Sequence, residues 1–365
     1  LRADVASGSA PDIFWLNSAN FLSYANAGEL VKIDESIGDQ GFSGWEESVV
    51  AQFSSGGVLW GVPQLSDPGI GILYNSQLLE DAGLEPADLL DMQWDPKLED
   101  DDLRSITRRL TVDDAGRTAD DAAFDSDRVA SWGYSAANDL NAILLPFIGS
   151  NGATWQDGDV FTFDSPGGTE AISYIIDLIN EQHVSPPTSI TNPPAGGNAS
   201  LDLFLRGRIA LFQTGAYNLV NVLEGASFPW GIAPLPRGPA GAISGTNGIV
   251  ASGWSGSDAP SATRTVLEWM GSGEGSAPIG ATGTANPAVI SAQQEYRDFW
   301  RANAVDVTPL LEVLSNGSVQ PPQGERYAAA QDAYLPILNE VFLGQRPVEE
   351  GVRTAATLAN EAMKP

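Results

Sequence analysis

Short apolar runs closed by turn-forming residues alternate with longer helical stretches along this chain, and that alternation limits the fold more than any other feature. The runs are Asp12 to Leu16 (DIFWL), Val58 to Pro63 (VLWGVP), Ile70 to Tyr74, Arg208 to Phe212 (RIALF), Trp230 to Pro234 (WGIAP) and Gly248 to Ser252. A continuous apolar run between turn residues predicts a strand buried on both faces; Leu30 to Ile33 reads as an edge segment. Helical patterns cover 21–27, 75–82, 138–147, 168–182, 199–205, 259–270, 287–301, 327–342 and 348–363. Strands alternating with helices predict α/β lobes whose sheets are covered on both faces. The length of 365 residues exceeds one simple core and suits two domains, and 42% apolar residues supply material for both. No internal repeat is present.

Residues 84–127 break the pattern, with many Asp and Arg and few large apolar side chains. Thr111 to Asp121 (TVDDAGRTADD) has the superficial look of a calcium loop. Counting back from Gly116, the ligand positions hold Ala115, Asp113 and Thr111, so only Asp113 suits the metal and an acidic surface turn is expected.

Charge and missing residue types exclude much chemistry. Eighteen Lys and Arg against 47 Asp and Glu give a net charge of −29, with a pI near 4.1. A field of that sign repels phosphate backbones and anionic lipid, so nucleic-acid and membrane-surface binding are disfavoured. Halophilic adaptation produces the same acidic excess. There is no Cys, which removes disulfides and thiolate chemistry, and His183 is the single His, which removes His-based triads and HExxH zinc sites. None of Lys32, Lys97 and Lys364 follows a Gly, so there is no P-loop, and neither a GxSxG elbow nor a clean GxGxxG is present. No apolar stretch reaches the ~18 residues of a membrane span, and no signal peptide opens the chain. The first residues read as the end of an amphipathic helix, which suggests a start within a structural element. The sequons at Asn198 and Asn316 are expected by chance at this length.

Several ordered segments carry a resemblance: SGSAPDIFW at 7–15, WGVP at 60–63, ILYN at 72–75, AGLEP at 82–86, GRIALFQT at 207–214, PLP at 234–236 and ATGTANP at 281–287. Together they resemble the extracellular solute-binding proteins of ABC sugar importers, the maltose-binding-protein-like family. The resemblance implies a type II periplasmic-binding-protein fold, two hinge-connected α/β lobes with a ligand cleft between them. Lobe one is expected at 1–73 and 243–304, lobe two at 74–242 and 305–365. Family members carry a strand-helix unit before the segment SGSAPD, so an incomplete start is expected here, with any signal peptide and lipobox cysteine upstream.

A pyranose presents apolar C–H faces and a rim of hydroxyls that donate and accept, so its site needs aromatic platforms beside carboxylates and carboxamides. By the resemblance, Trp15, Asn17 and Ser18 close the first strand where sugar contacts lie, with core filling and helix capping as the alternatives. Asp67 precedes a crossing strand, although Asp67-Pro68-Gly69 is also ordinary turn chemistry. In lobe two, Tyr217 matches a stacking position, Trp155 sits in a polar connector, and Asn138 and Asp139 open a helix as contacts or caps. Asn247 lies on a return crossing, and Arg326 near a third crossing either forks two hydroxyls or pairs with an acid. The implied function is extracytoplasmic capture of a neutral mono- or oligosaccharide for ABC permease subunits, by a monomer without cofactor, metal or catalysis. A carboxylate-based glycoside-active enzyme and a ligand sensor without a transport role are the alternatives.

Overall fold

The computed structural model describes residues 1–34, 36, 37, 40–192 and 199–364; Asn198 of the first sequon lies outside them. Seven strands matter for the site: β1 (Ile13–Asn17), β2 (Val62–Ser66), β3 (Ile70–Asn75), β4 (Val129–Tyr134), β5 (Ile209–Gly215), β6 (Trp230–Ala233) and β7 (Gly248–Gly253). Four helices recur below: α1 (Ser18–Asn26), α2 (Asp102–Leu110), α3 (Pro166–Asn180) and α4 (Gln293–Ala302).

The chain divides into two compact units. The first comprises Leu1–Asp67, Thr246–Ala304 and Pro321–Ala328. Its sheet has the order β1-β7-β2, antiparallel throughout, with Trp15 opposite Ala251 and Ser66 opposite Gly248. Phe14 and Leu16 point inward to a core with Phe21, Trp45, Phe53, Val62, Val250 and Leu267. The expectation that this strand is buried on both faces is corrected here. Burial alternates along β1, and Trp15 and Asn17 face out on the other side. The expected strand over 58–63 is likewise two strands: Val58–Leu59 pairs with Ser54–Ser55 in a hairpin, and β2 begins only at Val62.

The second unit comprises Pro68–Gly245, Val305–Gln320 and Ala329–Pro365. Its sheet runs β6-β3-β5-β4 and ends on the short strand Val112–Asp113. β5 is parallel to β4 and antiparallel to β3, and every residue of β5 is buried. α3 packs Ile172, Ile175 and Ile179 into the core of this unit. The boundaries differ from the expected ones for a hydrogen-bonding reason. β3 pairs with β5 and β6, which places 68–73 in the second unit. Ser244 and Gly245 pair with Ser318 and Val319, which draws 243–245 in as well.

The charged stretch 84–127 contains α2, which the sequence hides because a buried face of this helix is polar. Asp101 caps it, accepting the Arg104 backbone N–H at 2.8 Å. The Arg104 guanidinium is almost wholly buried, pairs with Asp101 at 2.8 Å and Asp177 at 3.2 Å, and lies 4.1 Å over the Tyr174 ring. Pairing and stacking together make burial of the cation tolerable. β4 is pressed close to this helix: a Cβ on Gly133 would sit 2.1 Å from the Thr107 carbonyl oxygen.

Two stability outcomes follow. Arg104→Ala leaves Asp101 and Asp177 facing a void, and urea unfolding is expected to lose about 3 kcal/mol. Ala304, just beyond α4, holds φ 57 in the left-handed region that glycine adopts without strain. Ala304→Gly is therefore expected to raise stability by up to about 1 kcal/mol in the same assay.

Candidate functional site

In the first unit, the sheet geometry gathers candidate residues at one edge. β1 ends at Asn17 opposite Ile249, near the start of β7, and β2 ends at Ser66 opposite Gly248. The turn beyond is closed by the Asp67 N–H donating to the Asn247 carbonyl at 2.8 Å. Asn17, Asp67 and Asn247 therefore share this edge, Asp67 and Asn247 half-buried and Asn17 exposed. Trp15 is two residues back on the outward face of β1 with 49% of its surface exposed. Asn17 occupies the N-cap position of α1, yet its side chain makes no capping hydrogen bond. Ser18 is buried in the first turn of that helix, which corrects its assignment as an open contact. The edge is held from below by Gln52, whose Oε1 accepts the Gly248 N–H at 2.8 Å. Arg326 is exposed on the 321–328 segment of the same unit.

In the second unit the parallel strands β4 and β5 deliver their C-terminal ends to one edge, the place where open α/β sheets commonly hold ligands. Beyond β5, Ala216–Asn218 forms a 3-10 turn that exposes 47% of Tyr217. The ring lies against the backbone of Gly215, where a Cβ would stand 2.4 Å from Cε1 of Tyr217. A side chain at 215 would push the half-exposed ring aside. Beneath the turn, buried Asn218 donates to Thr214 Oγ1 at 2.8 Å.

Beyond β4, Asp139 caps a π-helical turn (Leu140–Leu144), its carboxylate accepting the N–H groups of Asn141 and Ala142 at 3.0 Å; burial of the carboxyl pushes it above the ordinary range, and those two donors draw it partly back. The neighbouring Asn138 amide donates to Asn339 Oδ1 at 2.7 Å, which ties this loop to the helix Tyr327–Phe342. Asn339 was missed in the sequence because nothing in that helix's pattern marks it. Gln213 was missed too, although a carboxamide inside the apolar run IALFQ was a visible signal. Its amide donates to the Ala142 carbonyl, its Oε1 accepts from the Tyr134 hydroxyl, and its backbone N–H donates to Ser135 Oγ at 2.8 Å. Burial pushes the Tyr134 hydroxyl well above its ordinary pKa.

Trp155 does not belong to this edge. It is wholly enclosed, stacked on Phe163 at 4.3 Å and met edge-on by Tyr334 at 5.6 Å. The polar connector around it misled the sequence reading. Its Gly and Asp residues turn the backbone outward while the indole fills an aromatic cluster with Phe161. The loop with calcium-like spacing is also resolved. Burial alone pushes the Asp113 carboxyl up, but the N–H groups of Arg117, Asp125 and Ala115 and the Arg117 guanidinium hold it well below the usual carboxylate range. Its acceptor positions face donors. Among the described residues no group of three or more His, Cys, Asp or Glu is placed to hold a metal ion.

The family model for bacterial extracellular solute-binding proteins matches residues 1–277. UspC of M. tuberculosis is 49% identical over 99% of this chain and 88% of its own, with a TM-score of 0.84. Lmo0181 of Listeria monocytogenes, an ABC substrate-binding protein in complex with cycloalternan, is 21% identical over 100% of this chain and 87% of its own, with a TM-score of 0.78. MalE3 of T. maritima, bound to maltose, is 18% identical over 98% and 86%, with a TM-score of 0.74. The last two share the fold, which is the two-lobed type II α/β class expected from the sequence. No curated protein matches. With a family model covering most of its length and a solved relative identical at half its positions, the chain belongs to the bacterial extracellular solute-binding proteins.

Proposed function

We propose that this protein captures a neutral mono- or oligosaccharide outside the cytoplasm and delivers it to the permease subunits of an ABC importer. One observation carries the reading. Each unit presents a large half-exposed ring at a sheet edge, Trp15 in one and Tyr217 in the other, flanked by carboxamides and a carboxylate. A ring face takes the C–H side of a pyranose, while Asn17, Asp67 and Asn247, or Asn138 and Asp139, meet hydroxyls that donate as well as accept. Polar tips that a bound ligand covers also reject analogues that lack the hydroxyl, because they would be left unpaired. Sugar complexes of fold relatives support the same ligand class: Lmo0181 holds cycloalternan and MalE3 holds maltose.

Mechanistically, ligand shifts the protein toward a closed form by hinge motion. The shift is limited by its differential affinity for the two states. Arg326 is the cation proposed for the site, which suits an uncharged ligand better than a phosphate. The protein acts as a monomer and breaks no bond in its ligand.

Titration calorimetry against a panel of neutral sugars is expected to find a ligand, and recovery of that sugar unchanged after long incubation excludes hydrolysis. Binding of charged solutes alone, or cleaved product, overturns the reading. Trp15→Ala and Tyr217→Ala are each expected to weaken binding about tenfold, a loss of ~1.4 kcal/mol. Gly215→Ala displaces the Tyr217 ring and is expected to weaken binding in the same direction. Trp155→Phe should instead leave affinity within about twofold, as a wholly enclosed ring gives the ligand no face to stack on.

A further inference from the structure

Three carboxamides meet beside the candidate edge of the second unit and share one oxygen. Asn339, on the helix Tyr327–Phe342, accepts at Oδ1 from the Asn138 amide at 2.7 Å and from the Asn192 amide at 2.8 Å. Each of the three comes from a separately anchored segment. Asn138 follows Ala136, whose N–H donates to the buried Ser185 Oγ at 3.2 Å. Asn192 closes the short helix Thr188–Thr191, its N–H donating to the Thr188 carbonyl at 2.9 Å. Thr188 Oγ1 in turn donates at 3.1 Å to the carbonyl of Phe342, at the end of the helix that carries Asn339.

An asparagine side chain has one branch that accepts and one that donates, nearly alike in shape, so its partners decide which branch faces where. Turning Asn339 over would set its N–H groups against those of Asn138 and Asn192, donor against donor. Turning Asn138 over would set two carbonyl oxygens against each other. The orientation is therefore relayed: Asn192 holds Asn339, and Asn339 holds Asn138. With Nδ2 of Asn138 drawn to Asn339, its Oδ1 is the other branch of the amide, an acceptor with no partner among the described residues.

We propose that Asn339 is a positioning residue for ligand capture: it turns Asn138 so that the carboxamide oxygen is offered to the ligand, and the sugar hydroxyl that meets Asn138 gives its proton there. The proposal rests on the reading of Asn138 as a ligand contact and adds to it the direction of the hydrogen bond. Asn339 itself touches no ligand; it acts through Asn138.

The test is calorimetry with the tightest-binding sugar of the panel, comparing the parent protein, Asn339→Leu, Asn339→Asp, Asn138→Ala and the double variant Asn339→Leu with Asn138→Ala. Leucine is close to asparagine in shape but cannot accept, so Asn339→Leu is expected to bind about fivefold more weakly. Aspartate can accept from both amides, and Asn339→Asp is expected to recover most of that loss. A residue that merely fills space would show the opposite order. On the Asn138→Ala background the leucine substitution is expected to cost less than about twofold. Parent-like affinity in Asn339→Leu, an equal loss in Asn339→Asp, or an undiminished loss without Asn138 overturns the proposal. Asn138 and Asn339 are half-buried and Asn192 is exposed, so water can replace the lost bonds and the leucine variant is expected to fold; Asn339→Ala takes its place should it not. A second readout needs no ligand: the side-chain amide signals of Asn138 in NMR spectra, identified by their absence in Asn138→Ala. They are expected to move in Asn339→Leu and far less in Asn339→Asp. If the parent protein binds no sugar, the functional reading falls, and these signals alone decide the relay: unmoved signals in Asn339→Leu overturn it.

Discussion

A single buried carboxamide holds the second unit's candidate edge in register. Gln213 sits within β5, shut off from water, and its two ends go to different segments. Its oxygen accepts from Tyr134 at the end of β4, and its nitrogen donates to Ala142 in the turn that Asp139 caps. An unmade bond to either end would cost about 1–3 kcal/mol, so β4, the capped turn and β5 must stay aligned to within hydrogen-bond tolerance. Tyr217 follows in the turn just beyond that strand, four residues on. The geometry of the outward-facing residues is thereby set from inside, by a residue shut off from water.

The first unit solves the same problem with backbone instead. Asp67 and Asn247 are joined by a main-chain hydrogen bond, and Gln52 takes up the Gly248 N–H that the end of the ladder would leave unpaired. In both units a buried glutamine stands under a strand end, and the candidate side chains project from the turns above it. Strand ends are where a sheet stops satisfying its own polar groups. Extra donors and acceptors are needed there in any case, and a hydroxylated ligand can share them.

Much of this was legible in the sequence where burial is apolar and periodic. The helices at 199–205, 327–342 and 348–363 were read with the bounds they have, and β1 and β5 were placed to within a few residues. The signal failed where polar groups are buried or rings lie outside their expected setting. α2 escaped notice because Arg104 and Thr107 stand at buried positions that an apolar pattern would fill. Trp155 looked exposed because its neighbours are polar, and the two-strand break at Trp60-Gly61 is invisible in the continuous run VLWGVP. Among the candidate residues, Trp15 and Asn17 were expected at the end of the first strand and Tyr217 at a strand-to-helix turn, Asp67 and Asn247 at crossing segments, and Asn138 and Asp139 at a helix start.

The excess of acid over base sharpens the ligand argument. Eighteen cations serve a chain with 47 acids, and the fold ties many of them to carboxylates. Arg104, Arg108, Arg117, Arg128, Arg264, Arg301 and Arg346 are all in ion pairs. Arg208 lies over the Trp132 ring and donates to the carbonyls of Val129 and Ala130, while Arg109 donates to that of Ala82. A guanidinium beside a carboxylate has little field left for a second anion, and a net charge of −29 repels one at longer range. What the two sheet edges offer is therefore amides, single carboxylates and ring faces. A phosphate or carboxylate would meet acceptors facing acceptors there, whereas a sugar hydroxyl can give its proton to Asp67 or Asp139 and take one from an asparagine. The same arithmetic that leaves the protein strongly anionic thus disfavours an anionic ligand at either edge, and it does so before any individual contact is considered.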